Sequence, residues 1–205
     1  MILLVLENKL HLTNPADLAR AEECISKQNA VELFETGHLD ELNPGTVEAL
    51  AEIHRCLFSE IYAFAGKIRT VNLAKGNFRF APVLYLEAAL TAIEAMPQST
   101  FDEIIEKYVE MNIAHPFREG NGRSSRIWLD LMLKKELGQV VDWIRVDQED
   151  YLLAMERSPI KDLEIKQLLA AALTGEVNSR TVYQNGIDRS YEYEGFSFCR
   201  AAELG

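Results

Sequence analysis

The residues most suited to chemistry lie in one segment, His115-Pro-Phe-Arg-Glu-Gly-Asn-Gly-Arg-Ser-Ser-Arg126. It combines an imidazole, a carboxylate, three arginines and an asparagine between two glycines, and an apolar helical pattern begins directly after it at Ile127. A histidine can accept a hydroxyl proton near neutral pH. Arginines, glycines and a helix N-terminus bind anions. The segment therefore predicts chemistry on a phosphate.

The second half of this segment suits an anion-binding turn. Gly120, Asn121 and Gly122 precede a predicted helix, so backbone N–H groups would face a bound anion and no glycine Cβ would block its approach. The Asn121 amide could also donate to a phosphate oxygen. Arg123 and Arg126 share one face of the first helical turns. Because a helix start disfavours cations, we expect a bound anion or a carboxylate beside them.

The first half supplies a base and a metal ligand. His115 is the only histidine close to these groups in the sequence, and its neighbours favour a general base over a structural role. Glu119 is the only carboxylate in the segment, and a single carboxylate beside phosphates commonly holds Mg²⁺; the alternative is a carboxylate that compensates the helix dipole. Arg118 is expected to be exposed. No GxxxxGK[ST] stretch occurs, so the site is not of the P-loop type.

Composition limits the class of protein. The 205 residues, of which 48% are hydrophobic, are enough for one domain with a core. The formal net charge of -11 argues against a nucleic-acid or anionic-membrane binder. The apolar run at the N-terminus is too short for a signal peptide, and no run approaches transmembrane length, so a cytoplasmic location is expected. The odd number of cysteines argues against a disulfide framework or structural zinc; they are Cys24, Cys56 and Cys199.

Most of the chain is predicted to be helical. Asn14-Pro15 is typical of a helix start, and Ser99 with Asp102 resembles a capping box. Between these helices, residues 67–82 predict a β-hairpin, because apolar residues alternate on both sides of the turn Lys75-Gly76-Asn77; an irregular loop is the alternative. The predicted helices cover about 15–34, 45–66, 85–95, 100–113, 121–137, 147–157 and 161–173.

The segment 115–126 resembles the signature of Fic-domain proteins, His-Pro-Phe-x-Glu-Gly-Asn-Gly-Arg-x-x-Arg, at every fixed position. The predicted order of helices and hairpin is also similar to the Fic core, from about Glu7 to Gly195. The resemblance implies a mainly α fold, a Fic-type helical bundle with one β-hairpin flap at about 67–82. It further implies a core of residues 1–174 and a C-terminal tail of residues 175–205.

Fic proteins typically transfer AMP from ATP to a hydroxyl of a target protein. The resemblance implies that His115 deprotonates a Ser, Thr or Tyr hydroxyl, that Glu119 holds Mg²⁺ or Mn²⁺, and that Arg123 and Arg126 hold the β- and γ-phosphates. Gly122 stands where kinase-like relatives carry lysine, which favours AMP transfer over phosphoryl transfer. The implied nucleotide-binding residues are Lys75, Asn112, Ile113, Ala114, His115, Gly120, Asn121, Gly122, Arg123, Ser124, Ser125 and Arg126.

The tail segment Ser190-Tyr-Glu-Tyr-Glu194-Gly195 resembles the family's autoinhibitory motif, [S/T]xxxE[G/N], although taken alone it is an ordinary amphipathic turn. The resemblance implies an inhibitory helix at about 188–195, in which Glu194 pairs with Arg126 in place of the γ-phosphate. With this motif after the core, the chain resembles the single-domain class of the family that carries a C-terminal inhibitory helix. Three tail tyrosines are candidates for self-modification: Tyr183, Tyr191 and Tyr193.

The partners implied by the resemblance are ATP and a target protein aligned by strand addition on the flap, where Lys75 would reach the nucleotide or the target. We expect no nucleic-acid or membrane partner. Two other functions stay open: a bifunctional or reverse, AMP-removing enzyme, and a non-catalytic nucleotide-binding interaction protein. No pattern of the sequence encodes the target protein, or the signal that releases the tail. The same holds for the oligomeric state, for which a homo-oligomer stays open.

Overall fold

The computed structural model, which describes residues 5–76 and 78–204, is mainly α-helical, as predicted. Two short antiparallel strand pairs accompany the helices: β1 (Ala74–Lys75) with β2 (Phe78–Arg79), and β3 (Val140–Val141) with β4 (Leu173–Thr174). The helices are α1 (Pro15–Glu35), α2 (His38–Glu41), α3 (Val47–Phe58), α4 (Val83–Glu94), α5 (Phe101–Ala114), α6 (Asn121–Leu137), α7 (Gln148–Arg157), α8 (Leu163–Ala171) and α9 (Arg180–Glu192).

Helix α6 lies at the centre of the bundle and packs against α3, α5 and α9. Trp128, Leu129 and Met132 of α6 are fully buried. The indole of Trp128 also donates a hydrogen bond to the carbonyl of Thr46, just before α3, at 3.0 Å. Because interiors are close-packed, the core holds the start of α6, where the phosphate-binding residues were predicted, in a fixed position.

The local signals at helix starts were mostly informative. The Asn14 side chain caps α1, with proline at its first position. The predicted capping box is displaced by one residue, because α5 begins at Phe101. The Thr100 hydroxyl accepts a hydrogen bond from the Glu103 N–H at 3.3 Å, and the Glu103 carboxylate accepts one from the Thr100 N–H at 2.9 Å.

The region from α3 to the hairpin differs from the prediction. Helix α3 ends at Phe58 instead of continuing towards Gly66, where the chain turns with φ +74°. The hairpin ladder has only the pairs Ala74↔Arg79 and Lys75↔Phe78. In the described part of the hairpin, the ladder ends where the Ala81 N–H donates to the Ile113 carbonyl at 3.1 Å and the Val71 and Ala81 carbonyls accept from Arg69. The side chain of Lys75 and the whole of Asn77 lie outside the described residues.

The tail also differs in its extent. Helix α9 begins at Arg180, with Ser179 as its cap, and not near Asp188. Asp188 is an interior residue of the helix and pairs with Lys27 of α1 at 2.8 Å. Gly195 follows in the left-handed region, φ +86°, as predicted for the end of this helix. Among the described residues, no helix is both long enough and apolar enough to cross a membrane.

The prediction about cysteine pairing was wrong. Cys24 of α1 and Cys199 of the tail form a disulfide, with their Cα atoms 5.5 Å apart, a separation usual for such bonds. The two residues are 175 positions apart, so counting and local spacing carried no signal for the pair. Cys56 on α3 is a free thiol.

Candidate functional site

His115 ends helix α5 in a left-handed conformation, φ 50°. The following proline disfavours a helical conformation at this residue, and the His115 N–H still closes the last helical turn on the Met111 carbonyl at 3.0 Å. Its imidazole stacks on the ring of Phe80 next to β2, with centroids 3.6 Å apart and planes 15° apart. The predicted base therefore lies directly beside the hairpin.

Arg69 braces this base, although the sequence did not point to it. Its buried guanidinium donates to the carbonyls of His115 at 2.7 Å, Ala114 at 3.1 Å, Ala81 at 2.5 Å and Val71 at 2.7 Å. These carbonyls belong to the end of α5 and to both sides of the hairpin. One side chain thus ties His115, the predicted base, to both sides of the hairpin.

His54 of α3 is a second positioning residue, and the sequence pattern did not point to it. Its ring accepts a hydrogen bond from the Gly66 N–H at 2.9 Å and donates to the Glu119 carbonyl at 2.8 Å, so it is neutral. Burial lowers the pKa of His54 to about 4, and its ring stacks on Phe117 at 3.9 Å. The only sequence signal was a histidine within the apolar stripe of α3.

The loop from Phe117 to Asn121 is closed by the Asn121 side chain. Its oxygen accepts from the Phe117 N–H and its amide donates to the Phe117 carbonyl, both at 2.8 Å. One of the two N–H groups of this amide thus folds the loop, and donation to a phosphate by the amide stays a prediction. Gly120 has φ +74°, and a Cβ there would lie 2.5 Å from the Phe58 ring, so glycine is required at this turn.

Glu119 points partly towards solvent, with 41% of its side chain exposed. One carboxylate oxygen accepts from the Gly120 N–H at 3.0 Å and pairs with Arg123 at 3.1 Å. Burial raises the pKa of Glu119 and the charge of Arg123 opposes this rise. A single accessible carboxylate fits a Mg²⁺ ion whose other ligands come from phosphates and water.

Arg123 is the most enclosed charge of the site, with a side chain only 1% exposed. It forms ion pairs with Glu22 of α1, with Glu119 at 3.1 Å, and with Glu194 at 2.8 Å. The sequence predicted an anion or a carboxylate beside this arginine, and carboxylates are present. Two of them, Glu22 and Glu194, come from outside the motif. Three aromatic rings surround its guanidinium within about 5 Å: Phe58, Tyr191 and Phe196.

Arg126 is held by the tail. It donates to the Ser190 hydroxyl at 2.6 Å, to the Ser190 carbonyl at 2.8 Å and to the Glu194 carboxylate at 3.0 Å. The rings of Tyr151 and Tyr193, which stack on each other with centroids 4.8 Å apart, lie 5.8 Å and 5.4 Å from its guanidinium carbon. Ser190 and Glu194, which the resemblance implied as one motif, therefore meet the same arginine.

Gly122 lies against this pair. A Cβ at this position would be 2.7 Å from a Glu194 carboxylate oxygen and 3.1 Å from an Arg126 nitrogen. The Glu194 carboxylate is thus in close contact with the backbone at the start of α6. A helix N-terminus is where anions bind, so Glu194 occupies a position suited to a phosphate group.

The other predicted nucleotide-binding residues are of two kinds. Ser124 and Ser125 use their hydroxyls within α6: Ser124 donates to the Gly120 carbonyl at 2.9 Å and Ser125 to the Gly122 carbonyl at 3.2 Å. Three others form the last turn of α5, next to His115: Asn112, Ile113 and Ala114. The hairpin returns onto this turn, since the Ala81 N–H donates to the Ile113 carbonyl at 3.1 Å.

The three tail tyrosines have their hydroxyls engaged in the interior. Tyr191 and Tyr193 are buried, and Tyr183 is partly buried and stacks on Phe34. Burial raises the pKa of Tyr191 to about 12 and raises those of the other two as well. In this conformation self-modification would require the tail to move first. The hydroxyls donate to Ala30 (2.9 Å, from Tyr183), Ser26 (2.6 Å, from Tyr191) and Val146 (3.1 Å, from Tyr193).

The family comparison agrees with this geometry. Residues 44–133 match the model of the Fic/DOC family. This stretch contains α3, the hairpin, α4, α5 and most of α6, together with the whole of the motif 115–126. Within residues 44–133 the chain is therefore similar to a Fic domain.

Two relatives of this chain are named as a protein adenylyltransferase and a probable protein adenylyltransferase. The protein adenylyltransferase VbhT of Bartonella schoenbuchensis is 27% identical over 218 residues, which cover 94% of this chain but only 44% of VbhT. The probable protein adenylyltransferase y4lH of Sinorhizobium fredii is 29% identical over 78% of this chain and 85% of its own length. The chain therefore spans less than half of one relative and most of the other.

Solved structures confirm the fold. The BepC protein of Bartonella tribocorum, crystallised with bound AMPPNP, superposes with a TM-score of 0.67 at 18% identity, covering 83% of this chain and 92% of that one. The Fic domain of Bep8 from Bartonella sp. 1-1C reaches a TM-score of 0.71 at 16% identity, over 84% of this chain and 92% of its own. The Fic-type helical bundle predicted from the motif is thus confirmed.

Proposed function

We propose that this protein transfers AMP from ATP to a Ser, Thr or Tyr hydroxyl of a target protein, and that Glu194 inhibits the transfer. The observation that carries the proposal is the double contact of Glu194 with Arg126 at 3.0 Å and Arg123 at 2.8 Å, at the start of α6. The names of the relatives VbhT and y4lH support the activity, and AMPPNP bound to BepC supports ATP as the substrate.

The proposed reaction is an in-line displacement at the α-phosphorus of ATP. The target oxygen forms a bond to the α-phosphorus while the bond to the bridging oxygen breaks, and pyrophosphate leaves. His115 takes the hydroxyl proton, and Arg69 keeps this base in place through its carbonyl. Arg123 and Arg126 receive the negative charge of the leaving phosphates. Glu119 would hold Mg²⁺ or Mn²⁺, which supplies further positive charge to the phosphates.

The proposed inhibition is a competition between two anions. Both the Glu194 carboxylate and the γ-phosphate of ATP can satisfy Arg126, but the two groups cannot occupy the same volume beside Gly122. Removing one partner of a fully buried ion pair costs on the order of 3–5 kcal/mol, and the cost is smaller here because 24% of the Glu194 side chain is exposed. A competitor of this strength can suppress productive ATP binding by roughly a hundredfold, at about 1.4 kcal/mol per factor of ten.

The flap supports a protein as the acceptor. Its strands β1 and β2 pair only with each other among the described residues, so an outer edge remains for an added strand. The stacking of Phe80 on His115 places this edge next to the base. A target segment that adds to the flap would bring its hydroxyl to His115 without a specific sequence around it.

The test uses ATP labelled on either the α- or the γ-phosphate, with a cell lysate as the source of targets. In the Glu194→Ala variant, we expect protein labelling from α-labelled ATP and none from γ-labelled ATP. The double variant Glu194→Ala, His115→Ala should label nothing, whereas a matched variant, Glu194→Ala, His38→Ala, should label normally because His38 lies on α2 at the surface.

Three outcomes would overturn parts of the proposal. Labelling from the γ-phosphate would mean phosphoryl transfer, and undiminished labelling without His115 would remove the assigned base. Nucleotide binding by Glu194→Ala without any labelling would favour the non-catalytic interaction protein. Loss of AMP from a pre-modified target only when Glu194 is intact would favour the reverse reaction.

A further inference from the structure

The segment that follows α9 is fastened to α1 by buried groups. The carboxylate of Glu23, which is fully buried, accepts from the backbone N–H groups of Phe198 at 2.9 Å and Cys199 at 3.2 Å. Lys27, one helical turn further along α1, donates to the Cys199 carbonyl at 2.7 Å. The tail is therefore attached to the first helix as well as to the arginines of the site.

The same attachment reaches the middle of α9. Lys27 pairs with Asp188 at 2.8 Å, and the Asp188 carboxylate also accepts from the N–H of Ala201 at 3.0 Å. Asp188 and Cys199 lie on either side of Glu194 in the sequence. Both ends of the stretch that carries Glu194 are thus anchored on α1, so its position on Arg126 depends on how firmly α1 holds the tail.

One of these attachments is covalent, since Cys24 of α1 is bonded to Cys199. We propose that this disulfide is a redox latch on the tail: when it is formed, Glu194 is held on Arg126, and when it is reduced, the tail detaches more easily and ATP gains access. The proposal rests on the inhibitory role proposed for Glu194.

The effect follows from the cost of moving the tail. With the disulfide closed, residues beyond α9 cannot leave α1, and Glu194 can withdraw only by local unwinding of the end of α9. After reduction, the tail is held by non-covalent contacts alone, and a terminal segment of this kind can open as a unit. The bond thus acts by keeping the tail at a high effective concentration near its site.

Opening the latch needs an external dithiol. A thiolate of the dithiol attacks one sulfur of the Cys24–Cys199 bond, the S–S bond breaks, and a mixed disulfide forms. The second thiol of the reagent resolves it, which leaves two protein thiols and an oxidised reagent. Both cysteines are partly exposed. Cys56 is a poor internal attacker, because burial raises the pKa of its thiol to about 11.

The experiment compares oxidised and dithiol-treated protein by two measurements. Amide hydrogen exchange of residues 189–198 reports the tail directly, and labelling from α-labelled ATP reports activity. In the wild type we expect both rates to rise at least about fivefold on reduction, the lower end of ordinary allosteric coupling. Cys199→Ser should be fast in both states. Cys56→Ser, the matched control, should behave as the wild type.

The outcomes separate the latch from the function on which it rests. If Glu194→Ala shows no AMP transfer in either redox state, the proposed function fails, while faster exchange of residues 189–198 on reduction would still support the latch. If the Glu194→Ala variant transfers AMP at the same rate with and without dithiol, the result supports both the proposed function and the latch. The latch is wrong if intact-mass analysis of the oxidised wild type shows both thiols free. It is equally wrong if exchange of residues 189–198 is the same before and after reduction.

Discussion

The two halves of the motif are held in different ways. On the His115 side, neutral or cationic side chains from the core donate hydrogen bonds to backbone carbonyls. Arg69 donates to the carbonyl of His115 at the end of α5, and His54 donates to the carbonyl of Glu119. On the arginine side, the partners are carboxylates from distant parts of the chain, with Glu22 on α1 and Glu194 after α9. The first half is fixed by hydrogen bonds from core residues. The positive charge of the second half is neutralised by carboxylates, which another anion could replace.

This difference follows the division of the chain. Arg69 and His54, which donate hydrogen bonds on the His115 side, lie within residues 44–133, the part that matches the Fic/DOC family. Glu22 and Glu194 lie outside it. In the proposed reaction, a base needs one fixed position, whereas the arginines would accept phosphates and later release them. We infer that the family segment carries the chemistry and that the flanking segments set when the phosphate site is open.

The largest expected effect concerns Arg123, where the two halves meet. Replacing Arg123 by methionine would leave Glu22, Glu119 and Glu194 close together without a cation. We expect a loss of on the order of 3–5 kcal/mol in the free energy of unfolding, the usual cost of breaking a buried ion pair. Urea unfolding measures it.

The control is Arg118→Met, which changes an exposed arginine of the same motif and should stay within about 0.5 kcal/mol of the wild type. A similar small change for Arg123→Met would mean that the three carboxylates do not depend on this cation.

A slightly smaller effect is expected from His54 on acidification. Its pKa is about 4 in the folded protein, against 6.5 for an unperturbed histidine, so between these pH values the unfolded chain binds more protons. Stability is therefore lost as pH falls from 6.5 towards 4, by about 3 kcal/mol at 1.36 kcal/mol per pKa unit. Unfolding free energies at a series of pH values give the slope.

His54→Gln should be less stable at pH 7 but should show a flatter slope in this range. His38→Gln is the matched control. Hydrogen bonds to Glu41 and Glu52 raise the pKa of His38, so its removal acts in the opposite direction. An unchanged slope in His54→Gln would show that this histidine is not held neutral.

The next effect concerns Arg69, and it is measured on the kinetic constants of AMP transfer instead of on stability. Arg69→Met removes the donor that holds the His115 carbonyl, and small misplacement of a base can reduce the rate about a hundredfold. Measured in the Glu194→Ala background, kcat should fall with little change in the KM for ATP. Arg157→Met, an exposed arginine paired with Glu164, should leave both constants unchanged. A rise in KM with constant kcat would instead assign Arg69 to nucleotide binding.

Local patterns were sufficient for much of the fold and for the centre of the site. The proline at the start of α1, the glycine after α6 and the glycines of the motif act through their immediate neighbours, so their consequences could be predicted. The unusual charge of Arg123 and Arg126 at a helix start correctly indicated anionic partners. The identity of one of them, Glu194, came from the resemblance of the tail.

Other features depend on contacts between distant segments. Glu22, His54 and Arg69 are ordinary residues of a helix or loop in the sequence, and only the packing of α1, α3 and the hairpin around α6 gives them a role. The Cys24–Cys199 bond is of the same kind. The short hairpin shows the reverse case: the local pattern predicts longer strands, but next to the ladder the Ala81 N–H pairs with the Ile113 carbonyl and Arg69 pairs with the Val71 and Ala81 carbonyls.

The central claim is that Glu194 and the γ-phosphate of ATP compete for Arg126. The most direct measurement is the initial rate of AMP transfer at several ATP concentrations, in dithiol-containing buffer, for the wild type, Glu194→Ala and Glu192→Ala. Glu192 is the matched control, because it lies two residues before Glu194 but pairs with Arg189 and Arg200 instead. The account predicts that Glu194→Ala is at least about tenfold faster than the wild type and that Glu192→Ala is not. Equal rates for all three proteins would contradict it.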